Sequence, residues 1–188
     1  MKREISDRTI LDEFTEDFCK IVEDHCKYII CSGFVAIAHG RTRGTEDIDM
    51  ITEKLNSERF QKLHQDLINT GSICIQSNDP EGIYQDYLIK GDSIRYVRNE
   101  EGFFPPEMEL KFVKDELDEE QLIERVKLPL THLDIYFASI ESNIAFKEEY
   151  LKSEKDLEDA RHLRIIYEEE IDENKIKEIK EKIKGMRL

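Results

Sequence analysis

The amino-acid sequence predicts an α+β protein with a helical part at its C-terminal end. Three observations carry that prediction. Apolar residues recur at helical spacing through residues 9–27, where Ile10, Leu11, Phe14, Phe18, Ile21, Val22 and Cys26 fall on one side. Short β-like runs separated by turn-rich stretches fill residues 72–113. From Ser139 onward the pattern is helical again, over about 140–151, 154–167 and 172–186. A chain of 188 residues with 39% hydrophobic residues can bury one sound core. The economical division is an α/β core over residues 1–138 and a helical extension over 139–188, packed together as one structural domain.

The elements follow in order. Thr9 and Asp12 resemble a capping box at the start of the first helix. Residues 27–31 form a short apolar strand, and residues 34–39 a short helix entered through Ser32-Gly33 and ended by Gly40. Residues 46–52 form the strand that carries Asp47 and Asp49. Asn56 caps a helix through residue 69, with Phe60, Leu63 and Leu67 inward and Gly71 at its end. Strands are expected over 72–76, 83–89, 93–97 and 108–113, with hairpin turns at Gly91-Asp92 and residues 99–102. Pro105-Pro106 marks a boundary before the last of them. Residues 115–126 suggest a short helix and 133–137 a further strand-like run. The final helix carries Ile176, Ile179, Ile183 and Met186 on one side, which serves packing on its own domain or a homodimer seam.

Composition narrows the function. A net charge of −15 argues against general nucleic-acid affinity, because binding phosphate backbones needs clustered Lys and Arg. No apolar run approaches the length of a membrane span, and the first residues lack a signal-peptide core, so a cytoplasmic location is expected. Cys19, Cys26, Cys31 and Cys74 show no Cys-x-x-Cys spacing, so neither a zinc site nor a disulfide framework is indicated.

The chemistry concentrates in Arg43-Gly-Thr-Glu-Asp-Ile-Asp-Met50. Successive side chains of a strand alternate faces, so Asp47 and Asp49 project together while Ile48 and Met50 face the core. Paired carboxylates on one face are costly unless a positive charge joins them, and a divalent cation is the cheapest candidate. Phosphoryl and nucleotidyl transfer commonly uses two such ions about 3.5–4 Å apart, bridged by carboxylates. Glu109, mid-strand between apolar neighbours, is the best third ligand; Glu107 is a fallback, and Asp134 ranks below both. Lys111 shares the face of Glu109 and suits a phosphate contact. Ser32-Gly33, a small-residue turn before a helix, offers free backbone N–H groups for phosphate. Taken singly, an acid-x-acid pair is common on solvated edges and Ser is an ordinary N-cap; the order of strand, turn, short helix, polar loop and acidic strand is what points to a metal-bound nucleoside triphosphate.

That order resembles the nucleotidyltransferase superfamily typified by DNA polymerase beta. The stretch from Cys31 to Asp49 is similar to its small prokaryotic branch, which reads roughly Gly-Gly-x-Ala, His-Gly and Arg-x-Thr before Asp-x-Asp; His39-Gly40, Arg43, Thr45 and both aspartates match by position. Ile144-Ala-Phe-Lys147 followed by Lys155-Asp-Leu-Glu-Asp159 is similar to the C-terminal helical motif of AbiEii-type nucleotidyltransferase toxins. The resemblance implies a mixed β-sheet flanked by helices, two bound magnesium ions, a nucleoside triphosphate donor and nucleotide transfer to an acceptor, RNA or protein in the toxin-like case, with an antitoxin as a further partner. Asp47, Asp49 and Glu109 would then hold the metals, Ser32 and Gly33 the donor phosphates, and Lys147 and Lys155 would neutralise the triphosphate. The turn begins with Ser32 where the family has Gly, and the third acid is Glu109 where Asp is usual.

The remaining polar residues read more plainly. His39 is expected to be a buried, hydrogen-bonded histidine rather than a base. Arg43 pairs with Asp47 or contacts a phosphate. Thr45 closes the turn, and Glu46 is a surface residue. Lys155, Asp159 and His162 share a helix face by spacing, and Asp156 caps the helix that Ser153 opens.

Overall fold

A computed structural model describes residues 9–44, 47–98 and 106–188. Thr45, Glu46, the turn at 99–102 and Pro105 lie outside the described residues. Helix α1 (Ile10–Glu23) opens with the Thr9–Asp12 capping box, in which the Thr9 N–H donates to the Asp12 carboxylate at 2.8 Å. Its Phe14, Phe18, Cys19 and Val22 are buried. The periodicity runs on to Cys26, but the helix stops at Asp24 so that the chain can enter β1 (Tyr28–Cys31).

Helix α2 (Gly33–Ala38) leads to β2 (Asp47–Thr52), α3 (Ser57–Asn69) and β3 (Ser72–Cys74). The Asn56 side chain caps α3, and Phe60, Leu63 and Leu67 are buried. Residues 83–89, expected as a strand, are mostly helical: α4 (Pro80–Asp86) and a 3-10 turn over Leu88–Lys90. Asp79 accepts from the N–H groups of Glu81 and Gly82, and Pro80 sits in the first turn, a start signal that outweighs the β-rich residues after it. Strands β4 (Ile94–Arg98) and β5 (Glu107–Phe112) complete the sheet. The run at 133–137 forms only isolated bridges, in which Phe137 pairs with Ile30 and Val126.

The strand order is β1-β2-β5-β4-β3, with β2 and β5 parallel at the centre and every other pair antiparallel. The sheet is therefore mixed, as the resemblance implied. Ile48, Met50, Met108, Leu110, Ile94 and Tyr96 belong to the same buried cluster as the apolar faces of α1 and α3. Period-two alternation puts Asp47, Asp49, Glu107, Glu109 and Lys111 on the opposite face. There Ile51 packs with Ile29, Val113, Leu122 and Ala138, so α5 (Glu116–Ile123) covers only one end of that face.

The C-terminal part comprises α6 (Ile140–Phe146), a single π-helical turn (Lys147–Leu151), α7 (Glu154–Ile166) and α8 (Glu173–Arg187). Its Ile144, Ala160, Leu163, Ile176, Ile179 and Ile183 are buried in the cluster that fills the sheet's core. The apolar side of α8 is thus spent on packing inside the chain, while Met186 stays exposed.

Candidate active site

Backbone register assembles the acids. Parallel pairing sets Asp49 opposite Glu109 and Asp47 opposite Glu107, on strands about 4.8 Å apart. Two rows of carboxylates therefore share one sheet face, half-buried at its partly open end. Burial pushes the Asp49 carboxyl above the usual carboxylate range; the charges of Glu109 and Asp47 push the same way, while a Ser32 hydrogen bond and Lys111 pull it down. Glu109 is engaged through both oxygens. Ser93 Oγ donates to one at 2.8 Å, and the Arg95 guanidinium donates to the other at 3.1 and 3.2 Å.

Among the described residues no three His, Cys, Asp or Glu side chains converge tightly enough, as they stand, to enclose a metal. The donor set nevertheless fits a hard divalent cation. It is all oxygen, and Asp49 carries a burial and like-charge penalty that a cation would remove. Glu107, the fallback, stands in the same ladder at the Asp47 level, whereas Asp134 is exposed and paired with Lys127 at 2.6 Å.

The turn beside Asp49 is held in an unusual backbone. Ser32 has φ 66° and ψ −134°, a left-handed conformation costly for any residue with a Cβ. Gly33 follows at the start of α2, and the Arg43 guanidinium lies against it. A Cβ at Gly33 would sit 3.2 Å from an Arg43 nitrogen, so a side chain there would press the guanidinium aside by a few tenths of an ångström.

Arg43, foreseen as a partner of Asp47 or of a phosphate, pairs with Asp159 of α7. Asp159 is fully buried and also meets Lys147 at 2.9 Å and Arg41 at 2.7 Å. Lys147 is itself only 1% exposed and reaches Asp156 at 3.3 Å. Ser153 caps α7 by accepting the Asp156 N–H, its hydroxyl donates to the Asp156 carboxylate, and Asp156 carries this ion pair besides. Lys155 is exposed and stands apart from its helix neighbour Asp159. Sequence reasoning placed Asp159 on a helix face with Lys155 and His162 and missed its pairing with Arg41 and Arg43, because an ion pair between residues more than a hundred positions apart leaves no local pattern. His39 is buried as expected. Its Nδ1–H donates to the Val35 carbonyl at 2.6 Å, so Nε2 accepts from the Tyr167 hydroxyl at 2.7 Å. Burial holds its pKa below the usual histidine value.

A cavity of about 210 Å³ opens next to Asp49 and Ser32. Lys111 and Lys147 reach it from the sheet and from the π turn, and Phe146 and Tyr150 supply an aromatic wall. Arg187 lies 5.0 Å from the Phe146 ring and 5.6 Å from the Tyr150 ring, anchored by Asp115 and Asp118 at 2.7 Å each. The widened π turn places Lys147, Tyr150 and Leu151 together on this wall. Phe146, Tyr150 and Arg187 were not singled out in the sequence; their only signal is a helical spacing that also fits plain core packing.

No protein-family model matches the sequence, and a search of curated proteins finds no match. Solved structures do match. A nucleotidyltransferase-like antigenic protein from Paracoccidioides brasiliensis aligns at TM-score 0.54 and 12% identity, over 94% of this chain and 88% of that one. The antibiotic-resistance factor ANT(2'')-Ia aligns at TM-score 0.53 and 13% identity, over 93% of each chain. Its crystal structure with adenylyl-2''-tobramycin aligns at 0.52 and 14%, over 96% and 100%. The fold is nucleotidyltransferase-like. At such identities it is the architecture that is shared. Among the described residues no helix is long and apolar enough to cross a membrane.

Proposed function

We propose that this protein is a magnesium-dependent nucleotidyltransferase, moving a nucleoside monophosphate from a nucleoside triphosphate to an acceptor hydroxyl. The observation that carries this reading is the register of Asp49 against Glu109, with Asp47 on the same face, beside a cation-lined cavity. Asp47, Asp49 and Glu109 would hold two magnesium ions. Bound there, they would supply charge neutralisation for the polyphosphate and a lowered pKa for the acceptor oxygen.

The chain's own residues do the rest. Lys111 and Lys147 line the cavity and offset phosphate charge, and the Ser32-Gly33 turn offers backbone N–H groups to the same anion. Phe146 and Tyr150 give the base a stacking wall. Arg43, fixed on Asp159, lies against Gly33 and so positions the turn. Lys155 is left out of this set, since it does not line the cavity.

The acceptor is RNA, a protein or a small hydroxyl compound; the net charge of −15 disfavours RNA. One aligned structure holds adenylyl-2''-tobramycin, an adenylylated small molecule. A toxin-like role of the AbiEii kind, with an antitoxin partner and a cytoplasmic location, belongs to the same proposal. The test is incubation of the protein with labelled nucleoside triphosphates, magnesium and a cell extract. Label passes to one acceptor in the wild type and to none in Asp49→Asn.

A second reading is a non-catalytic nucleotide-binding module that keeps the fold. Ser32 in a left-handed backbone and the occupied Glu109 carboxylate favour it. Calorimetric titration separates the two: triphosphate binding with no label transfer supports the module, and label transfer excludes it.

A further inference from the structure

Glu109 already has a cation. The antiparallel register of β4 and β5 sets Arg95 directly across from Glu109, with Tyr96 opposite Met108 and Val97 opposite Glu107. The backbone, rather than a chance rotamer, delivers the guanidinium to the acidic face. Arg95 reaches one Glu109 oxygen through two nitrogens and approaches Glu107 at 3.8 Å. The charges of Glu109, Asp47 and Glu107 all hold its proton more tightly than usual, so it lies within the field of the whole ladder. Its side chain is 45% exposed, which leaves it room to swing out, while Glu109 is 23% exposed.

We infer that Arg95 is the resident counter-ion of Glu109, a positioning residue that a divalent cation must displace and that thereby sets the cation affinity of the acidic site. The inference rests on the proposed metal site and goes beyond it in naming what guards the third ligand. A guanidinium is planar, weakly hydrated and matched to a carboxylate fork, so it satisfies Glu109 in the absence of metal. It neutralises one charge where a divalent cation neutralises two. Exchange therefore goes forward once the cation can also use Asp47 and Asp49, and Glu109 alone does not hold the ion. Ser93 stays on the other Glu109 oxygen and keeps the carboxylate aimed during the exchange.

The experiment titrates the whole chain with Mn²⁺ alone, without nucleotide, and reads free Mn²⁺ by electron paramagnetic resonance. Arg95→Gln is expected to bind Mn²⁺ roughly tenfold more tightly than wild type, because one competing charge-assisted contact is gone. Arg95→Lys keeps the charge but loses the fork, and its affinity is expected to fall between the two. Arg95 is exposed enough that neither variant removes core packing, and circular dichroism melts check that both fold. Equal or weaker Mn²⁺ binding by Arg95→Gln overturns the inference while leaving the metal reading intact, provided that wild type binds and Asp49→Asn does not. Absence of Mn²⁺ binding in wild type and Arg95→Gln alike overturns both.

Discussion

Two clusters of charge in this molecule are built from the same side chains and behave in opposite ways. On the sheet face, Asp47, Asp49, Glu107 and Glu109 gather with Arg95 and Lys111, and negative charge is in excess. At the contact of α2 with α7, three cations, Arg41, Arg43 and Lys147, surround the single buried carboxylate of Asp159. Asp156 and Glu158 bring the second cluster closer to balance, and its Asp159 is closed to water while Arg41 and Arg43 keep some exposure. This cluster ties the loop after α2 and the end of α6 to α7, so it is a structural joint. The first is half-open, and burial drives at least one of its acids off its ordinary titration range. Imbalance, more than the presence of charge, singles out the sheet face as the candidate site.

Breaking the joint should have the largest effect. Asp159→Ala leaves Lys147, 1% exposed, without its nearest counter-charge. The expected loss is about 3–5 kcal/mol, the usual consequence of stranding one member of a buried ion pair. Urea denaturation at neutral pH measures it. A loss below about 1 kcal/mol would mean that the cluster is a passenger and the contrast is misdrawn.

Asp49→Asn should act in the reverse sense. It is expected to cut Mn²⁺ and magnesium–triphosphate binding by roughly a hundredfold, since it removes a ligand charge from the proposed site. Titration calorimetry reads that loss. Without metal, the same variant should melt no lower than wild type, because the carboxylate it removes sits among others of like charge.

The pH dependence sharpens the contrast. The folded-state pKa of Asp49 lies above its unfolded value, so the folded chain binds more protons across the interval between them. The stability contributed by protonated Asp49 is full below the ordinary carboxylate value of about 3.9 and is lost as pH rises through the raised one. In EDTA, Asp49→Asn should therefore exceed wild type in melting temperature at pH 7. The advantage should shrink towards zero near the ordinary carboxylate value. An advantage that grew on acidification would contradict the assigned direction.

The two clusters were also unequally legible in the sequence. Asp47 and Asp49 announce a shared face through spacing alone, and Glu109 stands out as an acid between Met108 and Leu110. Strand periodicity is local, so the reading needs no knowledge of the fold. The register that pairs Asp49 with Glu109 and brings Arg95 onto it is a property of the sheet and appears only there. Asp159 shows the limit most clearly: Arg41 and Arg43 lie on another element, and nothing near Asp159 in the chain foretells them. Residues 83–89 were misread because Ile83, Tyr84 and Tyr87 favour strands, whereas the Asp79-Pro80 start signal lies just outside the run. The cavity wall of Phe146, Tyr150 and Arg187 was hidden because an apolar helical stripe looks the same whether it faces a core or a ligand.

The smallest expected effect tests the link between turn and acid. Ser32 combines a strained backbone with a hydroxyl that bonds Asp49, and two substitutions separate these properties. Ser32→Ala removes the hydroxyl and keeps the strain. Ser32→Gly removes both, at the cost of a more flexible unfolded chain. Glycine should therefore be the more stable variant by about 1 kcal/mol, by urea denaturation. Both should lose the hydrogen bond that holds the Asp49 carboxyl down, so the pH midpoint of Mn²⁺ binding should move upward in each. A midpoint that moved in Ser32→Gly alone would show that the hydroxyl is not the link. In that case glycine and serine at this turn would differ through backbone geometry only, and Ser32 would belong to the turn rather than to the acidic site.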